Sequence, residues 1–157
     1  MAGAIQIQPE RPDHPEVIAL LDALDRYLAS LYAPEDNHVL GIEALRSAEV
    51  DFLVARADGR IVGCGASRRL DETGSAYGEI KRMVVDPAHR GQGIAARVLD
   101  MLEDRLRQRG IGLARLETGR HQHEAVRLYR RQGYRPCQAF NGYPDNGLSL
   151  FLEKRLA

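Results

Sequence analysis

Apolar and polar positions recur along the chain with two periods, and each period predicts an element. Ile5 and Ile7 alternate with Gln6 and Gln8, a short strand stopped at Pro9. Val17, Ile18, Leu20, Leu21, Leu24, Tyr27, Leu28 and Leu31 follow the three, four, seven spacing of one helix face. They predict a helix over residues 15–32, capped by Asp13 with Pro15 just inside. A polar loop over 33–41 leads to a helical turn over 42–45. Residues 50–56 and 60–70 read as strands joined by Asp58-Gly59, a two-residue hairpin signal. A polar turn over 71–75 and a third strand over 76–85 extend this into an antiparallel meander. Asp86-Pro87 stops the strand, and a glycine-bearing loop opens a helix striped by Ile94, Val98, Leu99, Leu102 and Leu106. Gly110 is that helix's expected C-cap. A strand over 113–118, a short helix over 122–132 and strands over about 134–140 and 148–155 finish the chain. The order predicts an α/β fold with a mixed sheet of about seven strands and helices on its faces.

Length and composition narrow the classes. The 157 residues, 44% of them apolar, suffice for one domain's core. No repeat, low-complexity tract or linker divides them, so a single domain over 1–157 is expected. No apolar stretch approaches the ~20 residues of a membrane helix. The N-terminus lacks a basic segment followed by an apolar run, so no secretory leader and no membrane partner are expected. Cys64 and Cys137 form neither a metal-spaced pair nor a disulfide framework, which leaves the cytoplasm as the default compartment. The net charge of zero hides a split. Residues 1–80 carry 7 basic and 14 acidic side chains, and residues 81–135 carry 13 basic and 6 acidic. A neutral chain lacks the broad basic surface of a general nucleic-acid binder. Its split suits a compact polyanion beside a cationic substrate, or simply two solvated faces.

Candidate chemistry concentrates in the loop that ends the meander. At Arg90, Gly91, Gln92, Gly93, Ile94, Ala95 and Ala96 a strand has just ended and a helix begins. The first amides of a helix lack internal partners and face the positive end of its dipole. Glycines let an anion approach the backbone, and Arg90 adds a fixed charge, which together make a pyrophosphate site. The alternative is a glycine-rich capping turn without a ligand. Gly91, Gly93 and Ala96 also fit the dinucleotide fingerprint G-x-G-x-x-A, with Glu117 as its ribose acid. The context opposes that fit. Five residues separate strand from glycine, the preceding strands form a meander, and too little chain follows for a doubly wound sheet.

The same segment resembles the acetyl-coenzyme A signature Q/R-x-x-G-x-G/A of the GNAT superfamily of N-acetyltransferases, with Arg90, Gly93 and Ala95 at its fixed positions. The strand 78–87 looks like the family strand that enters the pyrophosphate loop, and 124–134 looks like its A-x-x-L-Y-x-x-x-G-F/Y block. Gln122 departs from the Asn usual there. The resemblance implies a GNAT-like fold over the whole chain, acetyl-CoA as donor and a small-molecule amine as acceptor. It also implies that Met83, Val84 and Val85 hold the pantetheine arm, that residues 90–96 hold the pyrophosphate, and that Gln122 contacts the cofactor. No metal is implied, and a homodimer is compatible with it.

The implied chemistry asks for a base and an acid. An alkyl ammonium of pKa about 10.4 costs roughly 4–5 kcal/mol to deprotonate at pH 7. Glu79 occupies the position where family members often carry the carboxylate that takes this proton, directly or through water. It could equally be a sheet carboxylate paired with an arginine. Tyr129 matches the family's acid for the departing thiolate, or is a half-buried core tyrosine. On the acceptor side, Tyr32, Glu35, Asn37 and His38 fall in the segment that commonly lines the family's acceptor pocket, and Arg82 and Glu117 lie at strand positions that could face it. This mixture of charges suits an amino acid or related amine. His121 and His123 lack a third clustered ligand for a metal. Two other functions stay open: a non-catalytic acyl-CoA sensor or interaction module, and a protein-lysine acetyltransferase.

Overall fold

The computed structural model describes residues 4–72 and 74–156. The leader reading at residues 1–3, Thr73 of the expected turn and the last residue of the expected domain lie outside them. Strands β1 (Ile5–Pro9), β2 (Val50–Ala57), β3 (Arg60–Glu72), β4 (Ser75–Val85), β5 (Leu113–Gly119), β6 (Arg135–Pro136) and β7 (Ser149–Arg155) form one sheet in the order β1-β2-β3-β4-β5-β7-β6. Helices α1 (Pro15–Leu31), α2 (Ile42–Leu45), α3 (Ile94–Gln108) and α4 (His123–Arg131) complete the α/β fold. Every strand pair is antiparallel except β4 with β5.

The period-two pattern sorts side chains to the two faces. Leu53 and Ala55 of β2 pack with Val98, Leu99, Leu102 and Leu106 of α3. Their neighbours Phe52 and Val54 pack with Val17 and Leu21 of α1. The hairpin signal is realised: Asp58 and Gly59 have φ of 51° and 82°, the paired positive values of a type I′ turn.

Two expectations change. The cap of α1 is His14, whose Nδ1 accepts from the Glu16 amide at 3.1 Å. With Pro15 as the first helical residue the cap must be its neighbour, and Asp13 instead pairs with Arg11 at 2.8 Å. The strand expected over 134–140 shrinks to Arg135–Pro136. Pro136 has no N–H to give, and after one further bond, from the Cys137 amide to the Phe151 carbonyl at 2.8 Å, the chain leaves the sheet.

Two irregularities shape the centre of the sheet. The β4–β5 ladder runs only through Gly78↔Ala114 and Glu79↔Arg115. Beyond it the parallel strands part, opening a gap between the ends of β4 and β5. On the other side of β4, Cys64 pairs with Val84 while Ala66 pairs with Lys81, so Arg82 and Met83 both oppose Gly65. This bulge holds Arg82 at a φ of 58° and bends the strand locally.

Candidate active site

The gap is the floor of a cleft. Leu24 and Leu28 of α1, with Tyr32 just after its end, form one wall, and residues 36–39 line the cleft beside them. Ile80–Met83 of β4 and Glu117–Gly119 of β5 form the two lips. Gln122, Tyr129, Leu148 and Ser149 close the far side.

The anion loop follows β4, whose Met83 lines the cleft. Gly91 and Gly93 have φ of 78° and 76°, and Gly93 caps α3 in the left-handed conformation without a side-chain partner. A Cβ on either glycine would meet nothing within 4 Å, so the space before the helix is open. The Arg90 guanidinium is half-exposed, 3.6 Å from a Glu124 carboxylate oxygen. Gln92 is exposed and Ala95 and Ala96 are half-buried. Ile94 is a core residue, 2% exposed, so only its backbone amide is available to a ligand. Met83 lines the cleft, and Val84 and Val85 continue β4 past the end of its pairing with β5. The Gln122 side chain accepts from the Gly119 amide at 2.9 Å, which fixes the turn between β5 and α4.

Tyr129 is 7% exposed, packed edge-on against Tyr134, and lines the cleft. Burial pushes its hydroxyl above the usual tyrosine range. Glu117 also lines the cleft, and its Oε2 accepts from the Ser149 hydroxyl at 2.6 Å. Of the two expected readings of Glu79, base or sheet carboxylate paired with an arginine, the geometry shows the arginine pair. Glu79 is fully buried on β4, outside the cleft-lining residues. Its Oε1 accepts from Arg68 Nε at 2.8 Å and its Oε2 from the Tyr143 hydroxyl at 2.7 Å.

On the acceptor side, Tyr32, Asn37, His38 and Arg82 join Glu117 at the cleft, whereas Glu35 is exposed on a short 3-10 turn outside it. The Tyr32 hydroxyl accepts from the His121 amide at 3.0 Å, tying the end of α1 to the β5–α4 turn. Arg82 Nη1 donates to Asp25 of α1 at 2.7 Å. Sequence reasoning missed Lys81 and Tyr143, whose partners come from distant segments, and the apolar wall of Leu24 and Leu28, which the helical period had assigned to the core.

Comparison with known proteins agrees with this geometry. Residues 17–134 match the acetyltransferase (GNAT) family. The IAA acetyltransferase of Azospirillum brasilense is 43% identical over 152 residues, covering 97% of this chain and 98% of its own. The crystal structure of a Klebsiella pneumoniae protein assigned as an acyl-CoA N-acyltransferase superposes with a TM-score of 0.80 at 40% identity, covering 98% of each chain. The PaiA N-acetyltransferase of Thermoplasma acidophilum, solved with coenzyme A, shares the fold at a TM-score of 0.74 and 19% identity over 97% of this chain and 99% of its own. The chain belongs to the GNAT family of acetyltransferases, and acetyl-CoA is its acetyl donor. Among the described residues no helix is long and apolar enough to cross a membrane.

Proposed function

We propose that this enzyme moves the acetyl group of acetyl-CoA directly to the primary amine of a small molecule, an amino acid or related amine. The observation that carries the reading is the parted β4–β5 pair, whose cleft is lined by both Glu117 and Tyr129 and by Met83 of the strand that leads to the glycine loop. The pyrophosphate would take the amides after Gly93 and the Arg90 charge, and the pantetheine arm would lie along the unpaired stretch of β4 at Met83–Val85. The small-molecule reading draws support from the Azospirillum relative's name and from the enclosure of the acceptor side by α1 and residues 36–39. The two cysteines are free thiols, which suits the cytoplasm.

In this mechanism Glu117 takes the proton of the incoming ammonium, its other oxygen steadied by Ser149. The free amine attacks the thioester carbonyl, the tetrahedral oxyanion is met by β4 amides, the C–S bond breaks, Tyr129 gives its proton to the leaving sulfur, and the second proton of the acetylated nitrogen returns through water to the phenolate.

A thiol-release assay across small amines, amino acids and lysine peptides tests the reading. Turnover confined to peptides would favour a protein acetyltransferase, and binding of acetyl-CoA without turnover would favour a sensor. Glu117→Gln should lower kcat by ~10²-fold at pH 7, with the defect shrinking as pH rises and free amine accumulates. A defect flat with pH would remove Glu117 from proton transfer.

A further inference from the structure

Behind the β4 lip, on the acceptor side, lies a buried polar cluster that the transfer chemistry does not use. Glu79 is at its centre, with 0% exposure. Arg68 of β3 donates to one carboxylate oxygen, and Tyr143, on the loop before β7, donates to the other. The Tyr143 hydroxyl in turn accepts from Lys81 Nζ at 3.1 Å and from Arg68 Nη2 at 3.2 Å. Lys81 Nζ lies 3.7 Å from Glu79 and also donates to the His38 carbonyl at 2.6 Å. The rings of His38 and Tyr143 stand 5.1 Å apart. One carboxylate thus ties together β3, β4, the 36–39 wall and the loop before β7. Of the tied residues, His38 and Lys81 line the cleft.

We propose that Glu79 is a positioning residue rather than the base: through Tyr143 and Lys81 it fixes the 36–39 wall and so sets acceptor affinity. The inference rests on the amine-acetylation reading above. A base must exchange its proton with the amine, whereas both oxygens of Glu79 are engaged and no part of it is exposed. Its charge serves the two cations beside it. Burial pulls Lys81 below the usual lysine range, and Glu79 is the strongest charge opposing that shift. Glu117 acts in the same direction, while Arg68 and Arg82 oppose it. Without Glu79, Lys81 would lose the strongest charge that offsets its burial and holds it where it donates to His38.

Tyr143→Phe removes one hydroxyl and is the first test, with Glu79→Gln beside it. Both should raise acceptor KM tenfold or more. The KM for acetyl-CoA, kcat at saturating acceptor and the pH profile of kcat should stay near wild type. Glu79→Asp should recover part of the affinity. Hydrogen exchange, which needs no turnover, should quicken over residues 36–39 in Tyr143→Phe and stay unchanged in the glycine loop. Unchanged exchange and unchanged acceptor KM in folded Tyr143→Phe would overturn the proposal. So would a Glu79→Gln enzyme with normal KM and a kcat defect that fades as pH rises, which is the behaviour of a base. Failure of the underlying reading looks different: wild-type enzyme would then acetylate no amine, whatever the exchange data show.

Discussion

Tyr129 carries one proton, and its surroundings decide what that proton can do. The side chain is buried against Tyr134, and burial alone keeps the hydroxyl protonated. Tyr129→Phe preserves the ring packing, so folding and acetyl-CoA binding should be nearly intact. As donor to the leaving sulfur its loss should cost ~10²-fold in kcat, in the range usual for general acid catalysis. The KM for acetyl-CoA should move little, because the interaction develops in the transition state. An acyl donor with a more acidic thiol should narrow the gap. A Phe variant within about twofold of wild type, with chemistry limiting, would assign the tyrosine to packing. Tyr129 was legible in the sequence because its position lies inside a short motif. The surroundings of Glu79 were not. Strand alternation put it on a sheet face, but its hydroxyl partner is 64 residues further along, on the unassigned segment between the last two expected strands.

At the scale of elements, the glycine loop and α3 act as one device. The loop delivers the chain to Gly93 at a φ of 76°, and the helix then presents its first amides to open space. Gly93→Val tests both parts. Nothing crowds the new Cβ, so the fold's cost is the left-handed backbone, about 1–2 kcal/mol and more for a branched side chain. Acetyl-CoA binding should weaken far more than that strain explains, because the branched side chain stands where the phosphates would lie. Isothermal titration of the folded variant checks this, and unchanged affinity would put the anion site elsewhere. The periodic pattern foretold α1, α3 and the meander closely, since each is long and buries a regular stripe. It overextended the sixth strand, because Pro136 ends donation to the ladder. The parting of β4 from β5 left no mark in the pattern. Glu79-Ile80-Lys81 and Arg115-Leu116-Glu117 carry the alternation just past the last pair, and only the pairing in three dimensions shows where the ladder stops.

Across the whole molecule, that interrupted ladder divides the sheet into an antiparallel group, β1 to β4, and a second group, β5, β7 and β6. Two register pairs, the packing of α3 against both groups, the Tyr77–Phe140–Phe151 cluster and the Glu79–Tyr143 bond hold them together. A ligand seated in the gap would bridge the groups with hydrogen bonds that the bare sheet lacks, so it should bind the folded state alone and stabilise it by mass action. The glycine loop lies in the segment, 81–135, whose charge balance is positive, which favours a polyanion over a neutral ligand. At a hundredfold excess over Kd the stabilisation is about 2.7 kcal/mol. For a chain of this size each kcal/mol moves Tm by ~2–4 °C, so acetyl-CoA should raise Tm by ~5–10 °C. NAD and ATP at equal concentration should raise it little. They share the pyrophosphate but lack a pantetheine arm to fill the gap beside Met83–Val85. Added salt should shrink the acetyl-CoA shift only in part, since the pantetheine contacts are uncharged while the phosphate contacts are screened. A larger shift with NAD would restore the dinucleotide reading of Gly91, Gly93 and Ala96. Equal shifts with all three would mean that the loop binds pyrophosphate while the parted strands do nothing to select the arm behind it.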